Sequence, residues 1–186
     1  LVEFGAIKGD VHIHSDFDLT PSHDLGVSSM TELIHKADEL GYEYIGISDH
    51  NPKQSDMTDG MIDAIMKRRK EYFDNKKYLT KSVRNKCTVK KVFVMLEIDI
   101  KPNGELALPV KSFSHIDAAI ASIHSSFDMT QDEMTKRILH ALLQPKIKIL
   151  GHPTGRLMNR RDGIYADWDK IFRLCKEKNI ALEINA

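Results

Sequence analysis

The chain has 186 residues, enough for one domain with a sizeable core. Its 27 Lys+Arg cancel its 27 Asp+Glu, so no global positive field attracts nucleic acid and any such contact must be local. No apolar run approaches the ~18 residues of a membrane helix, the first residues lack the form of a signal peptide, and Cys87 and Cys175 stand far apart without metal-type spacing; a cytoplasmic protein with free thiols and no membrane contact is expected.

Residues 6–13 (AIKGDVHI) read as a strand, followed by a polar loop over 15–26. Residues 28–41 read as a helix: Ser29 and Glu32 form a capping box, Met30, Leu33, Ile34, Ala37 and Leu40 make the apolar stripe, and Gly41 ends it. A strand over 43–48 follows. Residues 58–79 carry Ile62, Ile65, Met66 and Tyr72 or Phe73 in helical register, with Lys67, Arg68, Arg69 and Lys70 expected towards solvent. Strand patterns at 90–100 and 115–124 flank a turn at 101–104. A helix over 130–143 opens with a second capping box, Thr130 and Glu133. A short strand at 147–150, a helix at 167–179 capped by Asp167, and a strand at 180–184 complete the series. Alternating β and α segments predict an α/β protein with a parallel sheet, and their number favours closure into a barrel over an open sheet. Functional groups are then expected at the carboxyl ends of the strands.

Histidines and acids fall there repeatedly. Side chains two apart on a strand share a face, so His12 and His14 aim two imidazoles at one point. Asp49 and His50 end the second strand, Glu97 lies late in the third, His124 ends the fourth and His152 the fifth. Imidazole and carboxylate suit zinc, manganese or iron. Five such histidines and a glutamate exceed what one tetrahedral ion takes, so about two or three divalent ions are expected, with Glu97 bridging. Closely spaced ions can activate a water and clamp a phosphate for in-line attack. The expected catalytic group is a metal-bound water. No protein nucleophile is evident, because Ser122, Ser125 and Ser126 flank His124 without a base-and-orienter pattern. His35 and His140 sit mid-helix and His115 opens a strand; all three read as packing or surface residues, and Asp10 as a structural acid. Asp49 reads either as an orienter of a metal-bound histidine or as a hydrogen-bonding residue at a strand end.

The segments GDVHIHSDF, GYEYIGISDHNP, LEIDIKPNGEL, IASIHSSF and ILGHPTGRL resemble the successive motifs of the PHP (polymerase and histidinol phosphatase) superfamily. The resemblance covers nearly the whole chain and is nearest to the PHP domain that follows the polymerase core in bacterial and archaeal family X DNA polymerases. It implies a distorted (β/α)7 TIM-like barrel, a trinuclear metal centre and phosphoesterase chemistry. In polymerase relatives that chemistry is manganese-dependent 3′-to-5′ exonuclease action on DNA 3′ ends. By motif, His12, His14 and Glu97 would hold the first ion, Glu97 bridging to a second completed by His124 and His152, and His50 would hold a third. The loop partner of that third ion would be His23 or Asp24, ahead of Asp16 and Asp18.

The family closes its ligand set with an Asp-x-His after the last strand. No histidine follows His152, and the one Asp-x-His, Asp10-Val11-His12, belongs to the first motif. Residues 1–186 are therefore expected to form a single PHP domain, incomplete at its C-terminus before the last βα unit, and part of a larger polymerase chain. Arg156, just beyond His152, reads either as a phosphate-binding group or as a solvated loop residue; Arg160 and Arg161 read as solvated. The reading is a nuclease module. Its rivals are a small-molecule phosphatase of the histidinol-phosphatase type and a structural PHP domain supporting an attached polymerase.

Overall fold

The structure, a computed structural model, describes residues 3–76 and 88–184. It divides into two compact units, residues 1–96 with 109–118, and residues 97–108 with 119–186. Cys87 and the expected end of the second helix, residues 77–79, lie outside the described residues.

In the first unit a 3₁₀ turn, Phe4–Ala6, leads into β1 (Gly9–Ile13), α1 (Met30–Glu39), β2 (Tyr44–Ile47), α2 (Asp59–Lys76) and β3 (Lys91–Asp99), whose last three residues belong to the second unit. β1 pairs with β2 and β2 with β3, both in parallel, with Tyr44 to Ile47 opposite Lys91 to Val94. β3 is buried over most of its length, as a parallel strand covered on both faces must be. The strands approach closely at Gly46, where a Cβ would lie 2.6 Å from Met95 Sδ and 3.0 Å from Val11 Cα. Ser29 caps α1 through the expected box with Glu32, and Gly41 takes up a left-handed φ of 71° just beyond. Met30, Ile34 and Ala37 pack with Ile45, Ile47, Phe73 and Val94 in the core.

The register of the two helices departs from expectation at two residues. Leu40 is exposed, because α1 ends at Glu39. Arg69 is fully buried rather than solvated, since α2 turns Ile62, Met66, Arg69 and Phe73 inwards as one stripe. His115 belongs to a 3₁₀ turn, Val110–His115, and not to a strand; it bonds Asp63 of α2 at 3.0 Å.

The second unit contains β4 (Ala118–Ser122, from Ala119 on), α3 (Gln131–Leu142), β5 (Ile147–Leu150), α4 (Trp168–Lys178) and β6 (Ala181–Leu182). β4 pairs with β5 and β5 with β6, again in parallel. Ile100, just past β3, donates to Ser122 O at 2.8 Å. Thr130 and Glu133 form the second capping box, and Asp167 caps α4 by accepting from the Lys170 N–H. Met134, Ile138, Ala141, Ile171 and Cys175 are buried between the helices and the strands. The last strand is shorter than expected: Ala181–Leu182 pair, and Glu183 then turns its carboxylate back to the His152 N–H.

The α/β class and the parallel pairing expected from the sequence are those observed. Among the described residues no helix is long and apolar enough to cross a membrane.

Candidate functional site

In the first unit the predicted histidines gather at the carboxyl ends of β1 and β2. His12 lies in β1 and His14 one residue past its end, with ring centroids 5.5 Å apart. His14 stacks on His50 at 4.4 Å with ring planes 13° apart. His50 is 5% exposed, too buried for a solvated histidine of a loop. The loop between β1 and α1 is tied down beside it: Ser22 donates to Asn51 O at 2.8 Å and Lys53 to Thr20 O at 2.9 Å. These bonds bring His23 to within 4.9 Å of the His50 ring and Asp24 Oδ1 to 3.4 Å from His50 Nε2. A hydrogen bond from its own backbone, with the charges of His50 and His14, holds the Asp24 carboxyl below its ordinary value against the cost of burial. In the same loop the Asp18 carboxylate accepts from the Thr20 N–H, and the Asp16 backbone N–H bonds Ser28 O.

Asp49 does not meet an imidazole through any described bond. One carboxylate oxygen accepts from the Ser15 N–H, and the other meets Arg69 Nε at 2.8 Å and Nη2 at 2.6 Å. Its bonds tie together the segments that carry the histidines, since Ser15 follows His14 and Asp49 precedes His50.

In the second unit Glu97, His124 and His152 meet at one oxygen. Glu97 Oε1 lies 2.8 Å from His152 Nε2 and 3.3 Å from His124 Nε2, and Glu97 is 1% exposed. Both contacts are of hydrogen-bond length, and the atoms that meet, a carboxylate oxygen and imidazole nitrogens, are of the kinds that ligate divalent ions. The far side of His124 is held: Nδ1 lies 2.6 Å from Asp99 Oδ1, which leaves Nε2 directed at Glu97. Carboxylate, imidazole and ion in that order is the usual arrangement behind a metal-bound histidine. Burial opposes a charge on His124, but Asp99 and Glu97 override it and push its pKa up to about 9. His152 sits at φ 25°, a strained setting for a non-glycine residue, and its N–H is fixed by the Glu183 carboxylate.

Sequence reasoning passed over Asp99 and Glu183. Asp99 was within its reach: it stands two residues after Glu97 on the same strand and so shares its face, the argument that singled out His12 and His14. Glu183 carried no comparable signal, because its target is a backbone N–H 31 residues away. Arg156 is exposed on the loop after His152, its N–H bonded to Thr154 Oγ1 at 3.4 Å. Arg160 is exposed, whereas Arg161 is partly buried, with its guanidinium 3.5 Å above the Phe127 ring and Nε bonded to Gly155 O. Cys175 is buried, and burial raises its thiol pKa.

A family model described as the PHP domain matches residues 10–186. The chain is 34% identical over its full length to the DNA polymerase/3′-5′ exonuclease PolX of Bacillus subtilis, of which it spans 30%. It is 28% identical to a probable phosphatase of Clostridium acetobutylicum and 29% identical to one of a Thermoanaerobacter species, covering 95% of this chain and 63% of each relative. The chain is thus shorter than the curated relatives it matches.

Proposed function

Because the chain belongs to the PHP domain family, a family of phosphoesterases, we propose that it is a metal-dependent phosphoesterase domain that trims DNA 3′ ends as one module of a family X polymerase. The proposed ligands are His12, His14 and His50 in the first unit and Glu97, His124 and His152 in the second, with His23 or Asp24 beside His50. The observation that carries the reading is the single Glu97 oxygen faced by two imidazole Nε2 atoms, a buried carboxylate brought together with imidazoles of the kind that ligate divalent ions.

Divalent ions held by these groups, manganese foremost with zinc or iron as alternatives, supply Lewis-acid chemistry to a phosphate ester and an activated water. The residues do the rest. Glu97 supplies the buried negative charge that favours cations. Asp99 fixes the His124 tautomer with Nδ1 protonated, leaving Nε2 as the donor, and Glu183 fixes the backbone from which His152 projects. Arg156, exposed beyond His152, grips a phosphate oxygen of the substrate; a chain of zero formal net charge needs such a local cation to hold DNA. Support for DNA comes from the polymerase relative, which matches over the whole chain at 34% identity. A second reading, a phosphatase of small phosphomonoesters, rests on the relatives named as probable phosphatases.

Metal analysis of the purified chain, followed by paired assays with Mn²⁺, tests the proposal. About two or more transition ions per chain and shortening of a labelled oligonucleotide from its 3′ end are expected. A chain that takes up no ion, or that hydrolyses only phosphomonoesters, overturns it.

A further inference from the structure

Arg137 of α3 is 2% exposed, and among the described residues it makes no ion pair. Its fork is spent on backbone carbonyls. Nε donates to Lys101 O at 3.0 Å and Nη2 to Ile100 O; Nη1 donates to Ser125 O at 3.0 Å and Ser126 O at 3.1 Å, with Met129 Sδ 3.6 Å away. The left-handed φ of 53° at Ser126 lets two successive carbonyls face one nitrogen. A buried guanidinium with no carboxylate bonded to it is expensive: burial pulls its pKa down, and the Asp99 charge offsets that only in part. Core packing alone would be served better by an apolar side chain.

The location of the four carbonyls explains the arrangement. Ile100 and Lys101 directly follow Asp99, and Ser125 and Ser126 directly follow His124. One rigid, planar group therefore holds together the two segments whose side chains meet at the 2.6 Å Asp99–His124 bond. We propose that Arg137 is a positioning residue, setting the Asp99–His124 hydrogen bond and through it the direction of His124 Nε2. Its relevance to catalysis rests on the metal-centre reading above. The bond itself does not. A lysine cannot replace it, because one ammonium lacks the fork that spans two segments.

The test compares the wild-type chain with R137K, R137M and, as a packing control on the same helix, I138V. Two readouts are used: the His124 Nδ1 proton resonance in metal-free protein, and Co²⁺ affinity with its visible spectrum. In wild type and I138V the proton lies downfield and Co²⁺ binds alike. In R137K and R137M the proton moves upfield, the cobalt band shifts, and affinity falls about 10–100-fold. A folded R137K that keeps both the His124 proton and the wild-type cobalt affinity overturns the proposal, and it decides alone if R137M does not fold. A wild type that takes up no cobalt defeats the metal-centre reading instead, and the His124 proton then judges the role of Arg137 by itself.

Discussion

Arg69 in the first unit and Arg137 in the second both reach from a helix to the carboxyl ends of strands, and both are buried. Their partners differ in kind. Arg69 meets a carboxylate, Asp49, through Nε and Nη2, gives one further bond to Ile47 O at 3.1 Å, and lies 4.5 Å from the Phe73 ring. Arg137 donates only to neutral acceptors, four carbonyls and a thioether, and feels the Asp99 carboxylate only through space. The first is a charge pair that fails badly when one side is removed; the second is a spacer whose removal leaves carbonyls that water can serve. One local fold problem, holding two segments of a candidate site side by side, has been solved once by charge and once by geometry.

Four predictions break or sharpen that contrast. The largest effect belongs to R69M, which strands the Asp49 carboxylate in the core and costs about 3–5 kcal/mol in urea unfolding. The double variant with D49N recovers part of that loss, and equal losses in the single and double variants would deny that the pair acts as a pair.

The second prediction concerns pH and belongs to the second unit. The pKa of His124 is raised to about 9 from 6.5, so in metal-free protein its charged contacts stabilise fully below about 6.5 and are lost as pH rises through about 9. A metal must displace that proton. Affinity measured by titration should therefore rise with pH, by roughly tenfold per unit, and level off above about 9. Asp24 of the first unit, its pKa lowered, stays charged throughout this window and contributes no slope. A flat profile from pH 6.5 to 9 would refute the assignment to His124.

R137M comes third: about 1–3 kcal/mol by the same urea measurement, less than R69M, because Asp99, the charge nearby, keeps its bond to His124. A cost equal to that of R69M would erase the distinction between the two arginines. Smallest are the helix caps, where the units are alike. S29A and T130A should each cost about 1 kcal/mol, since each hydroxyl accepts from the N–H three residues on and each glutamate returns the bond. Unequal losses would show that tertiary packing, not capping, holds one of the helices.

Local chemistry was legible in the sequence and long-range chemistry was not. Both capping boxes, the Asp167 cap and the parallel class could be read because their signals lie within a few residues or in a repeating period. His12, His14, His50, Glu97, His124 and His152 stood out because each is a polar group at or near a strand end. Arg69 was misread because its neighbours Lys67, Arg68 and Lys70 are charged, although its own spacing from Ile62, Met66 and Phe73 puts it on the buried stripe; its partner lies 20 residues away. Arg137 bonds carbonyls 36 and 12 residues away, and a carbonyl carries no residue identity. Glu183 is hidden for the same reason. What sequence conceals here is the support behind the proposed ligands rather than the ligands themselves.

Calorimetric titration of Mn²⁺ into the wild-type chain and into E97Q puts the most direct question to the site. Gln keeps the size of the side chain and removes the charge on the oxygen that His124 and His152 share. Saturable binding in wild type, at about two or more ions per chain, with loss of at least one ion or an affinity drop of about 100-fold in E97Q, is the predicted result. Equal binding by the two proteins, or none by either, would contradict it.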